Sequence, residues 1–154
     1  MARYLVIAHQ TAESPELLDR LRQLASSDAQ AKFVLLVPAT PVCNLWVCDE
    51  VETVRVAHSR AAAAATRLQA AGLHVIAARI GDADPIEALR DELQRQDGYA
   101  AVVISTLPPG VSRWLKMDVP ARASRLVQEG KLVCVVSRTV AEPVEMPAPA
   151  VAER

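Results

Sequence analysis

Ser105-Thr106-Leu107-Pro108-Pro109-Gly110-Val111-Ser112-Arg113-Trp114 places hydroxyls, a glycine, a guanidinium and an indole within ten residues. Hydroxyls and a flexible glycine backbone suit a small anion. Arg113 and Lys116, three apart, can turn both charges to one phosphate. Solvated surface charges are the plainer reading of that pair. Pro108 and Pro109 work against a phosphate cradle, because each lacks a backbone donor. The stretch therefore also reads as a stiff turn that closes a loop onto the fold.

His9 and Thr11 stand just after the first apolar run, at the same predicted edge. A lone histidine there is more often a hydrogen-bonded loop residue than a catalyst. Trp46 and Trp114 fall in loops at that edge too. An indole can stack on a base, plug a cleft or cap a partner surface; the absence of glycines that would admit phosphates there favours plugging or packing. His58 and His74 have no apparent partner. There is no Gly-x-Ser-x-Gly elbow and no Gly-x-x-x-x-Gly-Lys-Ser/Thr loop, so no nucleophile–base set can be assigned. Catalysis by His9 beside Ser105 is the weakest of the available readings.

The chain has 154 residues, enough for one domain with a sizeable core. Half of it is apolar, yet aromatics make up only 3%, so the core must be built from Ala, Val, Leu and Ile. Net charge is −1. That balance excludes nucleic acid or an anionic membrane surface as the main partner. The apolar runs fall far short of the ~20 residues a membrane span needs. With no signal-peptide layout at the N-terminus, a cytoplasmic address is expected. Cys43 and Cys48 lack the Cys-x-x-Cys spacing and any nearby His cluster, so they are expected to be ordinary reduced thiols. Cys134 reads as a small core residue.

The elements that must position these residues alternate strand and helix. Strands are predicted at Tyr4 to Ala8, Phe33 to Val37, Val75 to Ile80, Ala101 to Ile104 and Leu132 to Val136. Ser14-Pro15-Glu16 and Asp84-Pro85 each supply a cap and a proline at the first helical position. Leu17, Leu18, Leu21 and Leu24 follow at helical spacing, as do Ile86, Leu89 and Leu93. A proline-containing loop, 38 to 48, precedes a long Ala-rich helix from about Asp49 to Ala71. Asp118 is the expected cap of the last helix, with Val119, Ala123, Leu126 and Val127 inward and a stop at Gly130. This alternation predicts an α/β fold, a single doubly wound parallel sheet of five strands with helices on both faces. Residues 1–138 form the domain, and 139–154, with three prolines, form a tail. The dozen residues after the fourth strand exceed the usual 2–6 of a βα loop, and ligands bind at the carboxyl ends of such strands.

Gly81-Asp82-Ala83-Asp84-Pro85-Ile86-Glu87-Ala88-Leu89, followed by Tyr99-Ala100-Ala101-Val102-Val103-Ile104-Ser105, resembles the universal stress protein family. There a Gly-Asp-Pro-type start of the third helix leads into a strand ending Val-Val-Gly-Ser. The resemblance covers the element order from about Arg3 to Arg138. It implies strand order 3-2-1-4-5, a homodimer joined through the fifth strands, and a nucleotide pocket between strands one and four. The ATP-binding members carry Gly-x2-Gly-x9-Gly-Ser/Thr after strand four. Here those positions are Ile104, Leu107, Met117 and Asp118. Asp118 sets a carboxylate where a phosphate would lie. Those members also have an Asp after strand one, where this chain reads Ala8-His9-Gln10-Thr11.

The reading is thus a divergent, non-catalytic stress-response or regulatory protein, with no cofactor expected and ATP or AMP disfavoured. The alternative is a nucleotide- or small-anion-binding module with an altered pocket. Its candidate ligand residues are His9, Thr11, Ser105, Thr106, Gly110, Arg113, Trp114 and Asp118. In the strand order that the resemblance implies, Leu132, Val133, Cys134, Val135 and Val136 would form an apolar edge strand that invites pairing with a second copy.

Overall fold

The computed structural model describes residues 2–44, 47–110 and 112–138. Trp46 and the stretch 139–154 lie outside the described residues. Twelve elements follow in chain order. They are β1 (Arg3–Ile7), α1 (Pro15–Ser26), β2 (Lys32–Pro38), β3 (Val42–Asn44), β4 (Val47–Asp49), α2 (Glu50–Ala70), β5 (His74–Gly81), α3 (Pro85–Arg95), β6 (Ala101–Thr106), α4 (Arg113–Lys116), α5 (Val119–Ser124) and β7 (Leu132–Val136).

Five strands pair in parallel in the order β5-β2-β1-β6-β7. Counting only these strands along the chain, this is the 3-2-1-4-5 order that the family resemblance implied. β1 lies in the middle, hydrogen-bonded to β2 and β6. Its alternation serves both faces. Val6 and Ala8 join a core with α1 and α2, while Leu5 and Ile7 join one with α3 and α5. Residues two apart point the same way from a strand, so an unbroken apolar run is what a doubly covered sheet requires.

The helices start where their caps stand. Ser14 Oγ accepts from the Leu17 amide and Asp84 Oδ1 from the Ile86 amide, each just ahead of a proline. The Asp49 carboxylate accepts from the Glu52 amide at the head of α2. Ala57, Ala61, Ala64 and Leu68 make the buried stripe of α2; small side chains let its axis lie close to β2 and β5. Leu17 and Leu21 hold α1 to the sheet and are fully buried, each stabilising by about 2 kcal/mol relative to exposure.

Several sequence expectations are corrected. The segment 38 to 48 is more than a loop, because β3 and β4 pair antiparallel within it. Cys48 is disulfide-bonded, with Cys43 opposite it in the β3–β4 register; the expectation of a reduced thiol at Cys48 does not hold. Cys134 is exposed rather than a core residue. The helix headed by Asp118 is short, ending at Ser124, so Leu126 and Val127 pack against the core from outside it. Asp118 adopts φ 57 and its side chain caps nothing. An extra turn, α4, capped by Ser112, occupies part of the long βα connection.

Candidate functional site

At the carboxyl ends of β1 and β6 the chain departs to opposite sides of the sheet. Helix α1 leaves β1 on one face, and the connection carrying α4 and α5 leaves β6 on the other. The backbones diverge there and leave a crevice, the usual ligand position in an open α/β sheet. A cavity of about 230 Å³ lies in it. His9, Gln10 and Thr11 form one wall; Thr40 and Pro41, beyond β2, form a second. Ser105, Thr106 and Leu107 come from the end of β6, and Ser112, Arg113 and Trp114 from the start of α4.

The floor is made of hydroxyls. Thr11 Oγ1 lies 2.7 Å from Ser105 Oγ, which lies 3.0 Å from Ser137 Oγ, which lies 2.7 Å from Ser14 Oγ. All four residues are buried, at 2% exposure or less. The chain of oxygens thus runs from the pocket, past the end of β7, to the cap of α1. The neighbouring Arg138 amide donates to Glu16 Oε1 at 3.1 Å, which fixes the end of β7 to the same helix start.

His9 is half-buried and its Nε2 is buried without a hydrogen-bond partner. Desolvation, and then the nearby Arg60 guanidinium, lower its pKa to about 4. Its imidazole is therefore neutral near pH 7. Thr40 Oγ1 is likewise buried without a hydrogen-bond partner. Trp114 is half-buried, packing against the α3–α5 core while it lines the pocket. In that position the indole narrows the cleft.

His9, Thr11, Ser105, Thr106, Arg113 and Trp114 thus come together around one cavity. Gly110 and Asp118 are exposed residues off its described lining. Gly110 has φ +87 and open space where a Cβ would stand, so it serves the turn. Asp118 sits beyond α4 and carries the chain into α5 through its left-handed backbone. On β7, Val135 is buried, Leu132 and Val133 are partly covered, and Cys134 and Val136 are exposed. Sequence reasoning missed Gln10, Thr40 and Pro41. It also missed that Ser14 and Ser137, 123 residues apart, meet beneath the pocket. Only the Pro38–Cys48 segment, read as a loop after strand two, pointed toward the Thr40 wall.

A doubly wound parallel sheet with a polar crevice beside its central strand defines an open α/β fold. A solved structure of a universal stress protein from Archaeoglobus fulgidus has the same fold, with a TM-score of 0.59 over 88% of this chain and 93% of that one, at 12% sequence identity. No family model matches the sequence.

Proposed function

We propose that this protein is a non-catalytic regulatory or stress-response protein of the universal stress protein type, holding a small ligand rather than ATP. The size and lining of the pocket carry this reading. At about 230 Å³ the cavity falls below the roughly 300–1,000 Å³ typical of sites for drug-sized ligands. Leu107 and Trp114 stand on its wall, and no glycine is among its described lining residues. Backbone amides cannot approach a triphosphate as closely past such side chains. The hydroxyls and Arg113 still suit a small polar ligand, which supports the altered-pocket alternative in its small-molecule form. A homodimer joined through β7 and a cytoplasmic address complete the reading.

Isothermal titration with ATP and AMP tests it. The expected result is no saturable heat at micromolar nucleotide, with no hydrolysis of ATP. Saturable micromolar ATP binding, lost when Thr11 and Ser105 are replaced together, overturns it.

A further inference from the structure

The four hydroxyls beneath the pocket have four protons and three mutual hydrogen bonds. A serine or threonine hydroxyl has one proton to donate, so one proton of the four is left over. It cannot rest well on Ser14 or Ser137. Both are buried, neither lines the pocket, and no further acceptor is found for either among the described residues. A buried donor without an acceptor is unfavourable. The spare proton therefore belongs to Thr11 or Ser105, the two members that line the pocket. The Leu17 amide donates into Ser14 from the positive end of α1, which turns the chain of protons the same way.

The four-hydroxyl chain thus presents one spare donor at the pocket floor, and the unpartnered Thr40 Oγ1 stands on the wall beside it. Among its described lining residues Arg113 supplies a positive charge, and none is a carboxylate. Pro41, Leu107 and Trp114 offer apolar surface. With Arg113 the one guanidinium among the described lining residues, the site balances a singly charged acceptor better than a phosphate dianion, and Pro108 and Pro109 add no backbone donor. We propose that the pocket takes a small monocarboxylate with an apolar body, its carboxylate accepting the spare proton of the Thr11–Ser105 pair and facing Arg113. The neutral state of His9 near pH 7 leaves that charge balance unaltered. This rests on the reading of the cavity as a small-ligand site.

Benzoate and its neutral isostere benzamide are titrated into the full chain, followed through the amide signals of Thr11 and Ser105 and the Trp114 indole by NMR. Benzoate is expected to bind with a Kd of about 1 mM, and benzamide about tenfold more weakly. Thr11→Val and Ser105→Ala singly are expected to change benzoate affinity less than about threefold, because the remaining hydroxyl inherits the spare proton. The double variant is expected to lose about tenfold. Arg113→Gln, an exposed substitution outside the core, is expected to weaken benzoate about fivefold and leave benzamide alone, whether or not the double variant folds. Equal affinity for the two probes, no benzoate shift up to about 10 mM, or unaltered benzoate binding in Arg113→Gln overturns the proposal. Micromolar ATP binding with the benzoate preference intact instead sinks the small-ligand reading and spares the donor count.

Discussion

His9 shows how the fold resets a single residue. Burial, aided by Arg60, lowers its pKa to about 4, against about 6.5 in an unfolded chain. Above pH 6.5 it is neutral in both states and contributes nothing to pH dependence. As pH falls from 6.5 toward 4 the unfolded chain takes up a proton that the folded one refuses, so stability is lost. A loss of roughly 2–3 kcal/mol by pH 4 is expected. Urea unfolding at pH 7 and pH 4.5 measures it. His9→Gln should flatten the histidine part of that difference; an unchanged pH dependence in this variant refutes the shift. The sequence places His9 at the end of a strand. It cannot show that Arg60, on α2, stands close by, because that proximity comes from packing α2 onto the sheet over β2 and β5.

At the scale of elements, α3 lies close against the end of β5. A Cβ at Gly81 would stand 2.6 Å from the Ala88 Cβ and 3.1 Å from Leu36 Cδ1. Gly81→Ala must push α3 away from the sheet and is expected to lower stability by about 1–3 kcal/mol, read as a shift in the urea midpoint. Wild-type stability in Gly81→Ala would refute the close approach of α3 to β5. A buried polar lock lies beside this contact. Glu92, 3% exposed, pairs with Arg79 of β5 and accepts from the Tyr99 hydroxyl at 2.7 Å. Burial, reinforced by Glu92, raises the Tyr99 pKa. The helix starts at Ser14 and Asp84 are legible in sequence because caps and prolines act locally. The β3–β4 hairpin and the early end of α5 are not. Short elements have weak periodicity, and their neighbours decide whether they persist.

For the molecule as a whole, the uncovered side of β7 matters most. β7 closes one end of the sheet and has no hydrogen-bonded neighbour beyond it among the described residues. Cys134 and Val136 are exposed on it because α5 is too short to cover them. In a two-fold dimer through this edge the strands would run antiparallel, and pairing centred on Cys134 brings the two thiols together. Mild oxidation is expected to give a covalent dimer that Cys134→Ser abolishes, while sedimentation shows the noncovalent dimer in both forms. A monomer at tens of micromolar, well above a Kd of about 1 μM, defeats the dimer.

Much of the architecture follows from the chain's local chemistry: five apolar runs, capped amphipathic helices between them, and a long connection after Ile104. These features are legible because hydrophobic periodicity and caps depend on residues a few positions apart. The family likeness supplied the strand order, which the same local signals do not encode. Only the tertiary structure decided what the pocket is made of. Ser14, Ser105 and Ser137 lie on three elements distant in sequence and meet because β1, β6 and β7 stand side by side. A serine in isolation carries no signal that its proton must point into a cavity; the count can be made only once its buried neighbours are known.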